Sequence, residues 1–382
     1  MTIGIDISAL TIKRTGVGNY SLSVLESLLS LDEKNKYVLF AFVFSGESLI
    51  KESSLVKFPN VTVKIYRMHR GLLRRLWHFI PFISADFFYK GIDFLHLSDI
   101  FYLPTRRIPT LATIYDVTPS LFPHYHYARN IEFHKRRNKF VAQNSKLVIT
   151  LSQNSKKDIN NVLGIPTSKI RVISGGISDK YYPIENRTIV QKVLKKYDLK
   201  DGEYFLFIGT IEPRKNIEGF LEAYAKIRNQ LKSPFKVVII GEKAWGWENI
   251  QKNIARLNLK KDVLVTGYIS DDDLVDIING AKLFIYPSFY EGFGLPVLEA
   301  MACGIPVIGS NTSSLPELIG DSGFMVDPND HNKLASYMLQ ITYDAKLYAK
   351  LSKKSLERAK LFSWKSSAQK TLKVYEEMKK FI

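Results

Sequence analysis

The chain alternates between short apolar runs and amphipathic helical segments, and this alternation constrains its fold more than any other feature. The apolar runs are rich in Val, Ile and Leu, and most of them lack polar alternation, as expected for strands covered on both faces. The predicted strands are 2–8, 37–44, 61–67, 94–98, 109–117, 146–152 and 170–174, followed by 204–210, 235–241, 263–268, 282–288, 305–310 and 323–326. Helical segments such as 19–31 and 127–143 lie between them, and this order predicts parallel α/β sheets.

Residues 178–203 interrupt the alternation with a proline, many charges and no strong strand. Because 382 residues exceed one ordinary domain, we interpret this interruption as a domain junction. The expected domains are 1–182 and 183–362, each a doubly wound Rossmann-like sheet. The amphipathic terminal helix, 363–382, is expected to pack back on the first domain. Ligands of such sheets bind at the carboxyl ends of the strands.

Composition restricts the cellular compartment and the kinds of partner that we expect for the chain. Cys303 is the single cysteine, so no disulfide forms within the chain and no zinc cluster is built from thiolates. We see no secretory signal and no apolar stretch of ~20 residues, and therefore expect a cytoplasmic protein. The net charge is +17, and residues 1–183 hold 25 Lys and Arg against 13 Asp and Glu. This excess indicates anionic partners, namely phosphates, a membrane surface or nucleic acid, unless it reflects a generally basic proteome.

Two predicted strands are followed by loops that could bind a ligand, one containing glycines and the other containing basic residues. "TGVGNY" places Gly16 and Gly18 before a predicted helix, whose first amides could meet a phosphate or a sugar, although a tight turn without a ligand fits equally well. In "FIGTIEPRKN" a buried strand ends at Gly209 and is followed by Arg214 and Lys215. Two cations beside a helix start suit a diphosphate, and the alternative is a solvated basic loop.

The stretch "EGFGLPVLEA" places one glutamate on each side of a glycine loop. Gly294 lets the backbone approach a ligand, a helix is predicted to begin near Leu295, and Pro296 is tolerated in its first turn. Glu291 precedes the loop and Glu299 lies inside the helix. Such a pair could grip the vicinal hydroxyls of a ribose or a hexose. Alternatively, each is an ordinary surface acid.

The same stretch, extended as "EGFGLPVLEAMACGIPVI", resembles the signature of retaining glycosyltransferases of family four, which have the GT-B fold. "GTIEPRKN", "TGVGNY", "TLSQNSKKDI" and "FSWKSSAQKTLKVYEEM" resemble the same family at matching places and in the right order, over nearly the whole chain. The resemblance implies two Rossmann-like domains that face a central cleft.

The resemblance also implies roles for residues of the second domain. Glu299 would hold the ribose of a nucleotide sugar, and Glu291 would face the transferred sugar. The backbone of Phe293, Gly294 and Leu295 would lie beside them.

Further roles follow from the same resemblance. Lys215, with Arg214, would neutralise the donor diphosphate, so that no metal and no other cofactor is required. Gly16 and Gly18 would close on that diphosphate, and Gly267 with Tyr268 would meet the base.

Two positions depart from the family. Relatives commonly read His-Asp where this chain has Tyr115 and Asp116, and a phenol does not titrate near neutral pH as an imidazole does. We keep both among the expected catalytic residues. Thr210 is on the donor side, at a position where many relatives have arginine, and Arg214 is expected to supply that charge. The departure at Tyr115 leaves open a catalytically inactive adaptor that keeps the fold.

The acidic run "SDDDL", residues 270–274, could ligate Mg²⁺ in the other glycosyltransferase fold. Here it precedes a short helical pattern, so we favour a helix N-terminus whose acids complement the dipole.

Residues 66–82 interleave arginines with leucines and a tryptophan, as in a helix lying on an anionic membrane or one packed in a core. The basic run 134–139 supports the membrane interpretation, which places the enzyme peripherally on the inner face of the plasma membrane. The acceptor is then a glycan, lipid-linked, in assembly of bacterial surface polysaccharide. The nearest sub-family resemblance is to mannosyltransferases, with GDP-mannose as donor.

Several alternatives stay open. One is a GT-B transferase that uses a UDP-sugar, and another is a GT-B relative with different chemistry, such as an epimerase or a synthase. A third is a nucleic-acid- or anion-binding protein that uses the basic first half, although we find no nucleic-acid module and expect no nucleic-acid partner.

Overall fold

The structure is a computed structural model that describes residues 1–11, 16–43, 50, 53–67, 86–97 and 105–382. By its internal contacts the chain divides into two compact units. Unit 1 comprises Met1–Gly176 and Ser363–Ile382, and unit 2 comprises Ile177–Phe362. The first division falls a few residues before the boundary at 182 that the sequence suggests.

Each unit contains one fully parallel sheet. The strands of unit 1 are β1 Thr2–Asp6, β2 Lys36–Val43, β3 Val61–Arg67, β4 Phe94–Leu97, β5 Thr110–Thr113, β6 Ser145–Thr150 and β7 Ile170–Val172, in the order β3-β2-β1-β4-β5-β6-β7. Those of unit 2 are β8 Tyr204–Ile208, β9 Lys236–Ile240, β10 Val263–Gly267, β11 Leu283–Tyr286, β12 Val307–Ser310 and β13 Phe324–Val326, in the order β10-β9-β8-β11-β12-β13. Both orders reverse direction beside the first strand of the sheet, as in a Rossmann fold.

The described helices surround these sheets. In chain order they are α1 Gly16–Leu31, α2 Thr118–Leu121, α3 Ala128–Asn144, α4 Gln153–Leu163, α5 Arg187–Lys196, α6 Ile217–Ile227, α7 Trp247–Arg256, α8 Asp271–Gly280, α9 Leu295–Ala302, α10 Leu315–Ile319, α11 His331–Tyr343, α12 Ala345–Ala359 and α13 Trp364–Met378. Among the described residues, no helix combines the length and the apolar character needed to cross a membrane.

The sheet of unit 1 is buried on both faces. Leu39 and Ala41 of β2 join a cluster with Leu25 of α1, whereas Phe40 and Phe42 join a second cluster on the opposite face. Neighbouring side chains of one strand point to opposite faces, so an unbroken apolar run can fill both clusters. Each large apolar side chain fully buried in this way contributes ~1.5–3 kcal/mol.

Helix α13 packs within unit 1, far in sequence from its neighbours. Tyr375 and Met378 join the cluster that contains Leu25. The Ser367 hydroxyl donates to the Ser174 carbonyl at 2.7 Å. Arg171 pairs with both carboxylate oxygens of Glu377, at 3.0 and 3.1 Å from its Nε.

The predicted parallel α/β fold is confirmed, and each predicted strand is present. The fifth is much shorter than predicted, because the chain leaves the sheet after Ile114, whose N–H still donates to the Ile149 carbonyl at 2.9 Å. Helix α1 begins at Gly16 instead of residue 19. The expectation that Gly16 and Gly18 precede the helix is therefore wrong: both lie in its first turn, where amides need no partner inside the helix.

Candidate functional site

The sheet of unit 2 reverses its strand order between β8 and β11, and the loops that follow these two strands form the site. The β8 loop carries Arg214 and Lys215, and the β11 loop carries Glu291. Because the carboxyl ends of neighbouring parallel strands open at the same edge, the two loops meet there. The N–H of Phe289 donates to the carbonyl of Arg214 at 2.9 Å.

Lys215 and Glu291 form a buried ion pair at this edge. Lys215 Nζ lies 2.7 Å from Glu291 Oε1 and 2.9 Å from Oε2, and it donates to the Tyr286 hydroxyl at 2.8 Å. Lys215 is 7% exposed and Glu291 6%. Burial lowers the pKa of Lys215, and Glu291 opposes that change. Burial alone would raise the pKa of Glu291, but Lys215 and then Arg214 bring it below its usual value.

Arg214 adds a second cation to the pair. It lies 3.3 Å from Glu291 Oε2 and 2.5 Å from Glu212 Oε1. The next residue, Asn216, has a left-handed backbone with φ 53°, and its side-chain amide donates to the carbonyls of Pro287 and Pro328 at 3.0 and 2.7 Å. Asn216 therefore holds the basic loop at a backbone angle that few residues adopt easily.

Helix α9 begins directly after the glycine loop. Gly294 caps it with φ 106°, a conformation that favours glycine, and Leu295 is its first residue. This confirms the predicted helix start and the place of Pro296 in the first turn. Glu299 lies in the second turn and is half-buried. Burial raises the pKa of Glu299 to about 7, opposed by Tyr181 and then Lys180.

The remaining predicted donor residues of unit 2 lie at the ends of β8 and β10. Thr210 and Tyr268 are exposed, and Gly267 has φ 72°. Gly241, at the end of β9, lies between them, and a Cβ there would be 1.9 Å from the carbonyl oxygen of Gly209. Only glycine allows these strand ends to approach so closely.

The predicted site residues of unit 1 also lie at strand ends. Tyr115 follows β5, is 7% exposed, and its hydroxyl lies 2.7 Å from that of Ser21 on α1. Asp116 accepts a hydrogen bond from the N–H of Thr118 at 2.9 Å and so supports the start of α2. A Cβ added to Gly16 would meet no atom of the described residues within 4 Å. The loop 12–15 before it lies outside the described residues.

The acidic run 270–274 starts helix α8, in agreement with the favoured interpretation. The N-cap is Ser270, whose hydroxyl accepts from the N–H of Asp273 at 3.3 Å. The Asp273 carboxylate pairs with Lys196 at 2.8 Å. Within the described part of the chain, no group of three His, Cys, Asp or Glu side chains could hold a metal ion.

Sequence reasoning missed a buried polar chain in unit 1. His96 on β4 lies 2.8 Å from the Tyr375 hydroxyl through Nδ1, and 2.8 Å from the Thr113 hydroxyl through Nε2. Burial lowers the pKa of His96 to about 4. The three side chains line a cavity of about 50 Å³ together with Tyr115 and Ser21. The sequence "HLS" at residues 96–98 gives no indication that the His96 side chain lines this cavity.

The basic segments divide between surface and interior. Of 66–82, only Tyr66 and Arg67, which end β3, are described, so the predicted membrane helix lies outside the described residues. The run 134–139 lies on α3, and Arg137 in it is fully buried and donates to the Thr113 carbonyl at 2.7 Å. Arg137 is therefore not available to a membrane surface, whereas Lys135, Arg136 and Lys139 are exposed.

Comparison with known proteins agrees with this architecture. Residues 15–181 match the model of "Glycosyltransferase Family 4" and residues 190–358 that of "Glycosyl transferases group 1". The chain is 30% identical to the O-antigen chain mannosyltransferase B of Escherichia coli, over 95% of this chain and 96% of that protein. It is 34% identical to the serotype-specific mannosyltransferase WbdA of Escherichia coli, over 58% of this chain and 27% of that protein.

Among solved structures, sucrose-phosphate synthase from Thermosynechococcus elongatus superposes with a TM-score of 0.76 at 20% identity, over the whole length of both chains. At that identity the likeness concerns the fold alone. Together with the two family matches and the full-length mannosyltransferase relative, it leads to one conclusion: the chain is a glycosyltransferase of family four with the GT-B fold, related to O-antigen mannosyltransferases.

Proposed function

We propose that this enzyme transfers a hexose, with retention of anomeric configuration, from a nucleotide sugar to a glycan acceptor. The observation that carries the proposal is the buried Lys215–Glu291 pair, with the partly buried Arg214 beside it, at the strand-order reversal of unit 2. Burying charged side chains costs free energy even when they are paired, and charged groups with shifted pKa values collect at functional sites.

The nucleotide-sugar donor binds to the loops around the Lys215–Glu291 pair. Arg214 and Lys215 face the diphosphate, Glu291 faces the transferred sugar, and Glu299 accepts the ribose hydroxyls. The amides at Phe293 and Gly294 lie before the first turn of α9, where a helix dipole favours an anion. Gly267 and Tyr268 meet the base, and Thr210 lies beside the donor.

The reaction follows from these charges. The bond between the anomeric carbon and the diphosphate oxygen breaks as the cations stabilise the leaving diphosphate. The acceptor oxygen forms its bond to the anomeric carbon on the same face. The proton of the acceptor hydroxyl passes to the departing phosphate oxygen, so charge and atoms balance without a metal ion. In unit 1, Gly16 and Gly18 approach the diphosphate, and Tyr115 and Asp116 lie near the reacting sugar.

Mannose is the sugar we assign, and GDP-mannose the donor. The support is the names of the two relatives, both mannosyltransferases. We further propose a lipid-linked acceptor in assembly of O-antigen, capsule or exopolysaccharide, with the enzyme peripheral on the inner face of the plasma membrane. Exposed Lys135, Arg136 and Lys139 on α3 support contact with anionic lipid, since each such cation contributes ~1 kcal/mol near the surface.

The test is a thermal-shift and donor-hydrolysis screen with GDP-, UDP-, ADP- and dTDP-sugars, each with and without EDTA. We expect GDP-mannose alone to stabilise the protein, and EDTA to have no effect. Glu299→Gln should abolish the shift, whereas Glu218→Gln, an exposed glutamate in the first turn of α6, should keep it.

Other outcomes of the screen have definite meanings. A shift with a UDP-sugar alone would replace the donor but keep the reaction class. If no nucleotide shifts the melting temperature, the donor site is refuted. Steeply salt-dependent binding to nucleic acid would then favour the anion-binding alternative.

A further inference from the structure

A run of hydroxyl side chains begins at the last residue of strand β12 and holds the loop that carries Glu291. The run "SNTSS", residues 310–314, contains four residues with hydroxyl groups. Ser310 donates to the Ser288 carbonyl at 2.6 Å, and Thr312 donates to the Phe289 carbonyl at 3.0 Å. These bonds fix the start of the β11 loop against the end of the neighbouring strand.

The last two hydroxyls reach Glu291 itself. Ser313 Oγ accepts from the N–H of Glu291 at 2.9 Å. Ser314 Oγ lies 2.9 Å from the Glu291 carbonyl and 3.0 Å from the Phe293 carbonyl, and donates towards both. The peptide groups on both sides of the Glu291 Cα are therefore held by the loop after β12, and the carboxylate is held separately by Lys215.

The backbone of this run is itself unusual. Ser313 has φ 55°, a left-handed conformation that costs free energy for a residue with a Cβ. Such conformations persist where the surrounding structure requires them, and they collect at functional sites. Ser314 is 1% exposed, so its hydroxyl has no competition from solvent.

The carbonyls of Glu291 and Phe293 point toward the loop after β12, and the next backbone N–H groups are left available to a ligand. Within the part of the chain that the structure describes, the N–H groups of Phe293 and Gly294 donate no hydrogen bond to the protein. These are the amides that precede α9, next to Glu291.

We propose that Ser313 and Ser314 are positioning residues that fix Glu291 and the following amides toward the transferred sugar. This inference rests on the proposed function, because it assumes a sugar donor at this loop. Displacing a group that touches the sugar by a fraction of an ångström lowers the rate, whereas the nucleotide keeps its contacts with Glu299 and the basic loop.

The first test compares Ser314→Ala with Ser322→Ala. Ser322 is also 1% exposed, and its hydroxyl donates to the Ile319 carbonyl at 2.6 Å, away from the Glu291 loop. We expect similar losses in melting temperature. For Ser314→Ala alone, kcat with the donor identified for the wild type should fall about ten- to a hundredfold. The Kd of the nucleoside diphosphate, which lacks the sugar, should stay within about threefold.

The second test is Ser313→Gly, which deletes the acceptor of the Glu291 amide and removes the Cβ from a left-handed residue. We expect a melting temperature near that of the wild type together with a loss of kcat like that of Ser314→Ala. A loss of rate without a loss of stability is not produced by a residue that only supports the fold.

The outcomes separate this inference from the proposed function. If the wild type binds no nucleotide sugar, the proposed function fails, and this inference fails with it. If the wild type turns over a donor and both variants keep its kcat, only the positioning role is refuted. Equal losses of kcat in Ser314→Ala and Ser322→Ala would refute it as well.

Discussion

The two sheets end in chemically different ways. At the carboxyl edge of the unit 2 sheet the buried groups are charged: Lys215 and Glu291 pair directly, with Arg214 beside them. At the corresponding edge of unit 1 the cavity lining combines hydroxyl groups and a histidine with one buried carboxylate, Asp6. The Tyr115 hydroxyl lies on Ser21, and burial lowers the pKa of His96. No Lys or Arg is among the described residues that line the unit 1 cavity.

This difference shows that net charge is a poor guide to where charge is used. The first half of the chain carries most of the positive excess, yet the cavity at its strand ends is lined by hydroxyl groups, aromatic rings and the Asp6 carboxylate. The buried Arg137 binds the Thr113 carbonyl and is not among the lining residues. Cations at the strand ends of unit 2 suit a diphosphate. Hydroxyl groups and a carboxylate acceptor in unit 1 suit a polar ligand without negative charge, such as the hydroxyls of a sugar.

The largest expected effect is on the charged edge. Lys215→Met keeps the side-chain length but leaves Glu291 buried with only Arg214, and should lower the free energy of unfolding by about 3–5 kcal/mol. Urea unfolding measures this. The double variant Lys215→Met with Glu291→Gln should recover most of the stability but no donor turnover. A loss below about 1 kcal/mol in the single variant would mean that the pair is solvated.

Glu299→Gln should act in the opposite direction on stability. The pKa of Glu299 is about 7 in the folded protein and 4.5 when unperturbed, so its contribution to stability is complete below pH 4.5 and lost as the pH rises through 7. The variant should therefore be more stable than the wild type at pH 8 by about 2 kcal/mol, and equal to it near pH 4.5, while losing nucleotide binding. A constant difference across this range in chemical denaturation would contradict the assignment.

Mild acid should destabilise unit 1 first, through His96. His96 has a folded pKa of about 4 against an unperturbed 6.5, so the unfolded state binds the proton first, and stability falls as the pH drops from 6.5 to 4. We expect about 1–2 kcal/mol from this group. The pKa of Glu291 is lowered, so its contribution is lost only below its unperturbed value of 4.5. His96→Gln should flatten the upper part of the acid profile, and an unchanged slope would refute the burial of a neutral ring.

The smallest effect concerns the Tyr115–Ser21 contact. Tyr115→Phe and Ser21→Ala should each lower the free energy of unfolding by about 1 kcal/mol, as for one neutral hydrogen bond. A double-mutant cycle should give a coupling of about 0.5–1.5 kcal/mol. A coupling near zero would mean that the two hydroxyls bind solvent independently, and would weaken the contrast between the two edges.

Local features of the fold could be predicted, and contacts across the sequence could not. Unbroken apolar runs mark the strands, and the glycine and proline around Leu295 mark the start of α9. The Lys215–Glu291 pair joins residues 76 apart, and His96 meets Tyr375 across 279 positions. Spacing in the sequence carries no information about such partners, because the topology of the sheet brings them together.

The hydroxyl run "SNTSS" shows the same limit. Its composition indicates a polar loop, but the carbonyls that it holds belong to the loop after a different strand. Arg137 shows the limit as well, because a run of charges resembles a surface group and only the packing of α3 on the sheet turns this one side chain inward.

The return of helix α13 to unit 1 has a consequence for the order of events during synthesis. Unit 2 is continuous in sequence, so all of its residues leave the ribosome before the helix that completes unit 1. At a synthesis rate of ~5–20 residues per second, roughly ten to forty seconds pass between the synthesis of residues 1–176 and that of helix α13. Helix α13 carries Tyr375 and Glu377, which contact His96 and Arg171. During that interval the face of the nascent sheet that later contacts Tyr375 and Met378 is uncovered. Unit 1, although translated first, reaches its final form last.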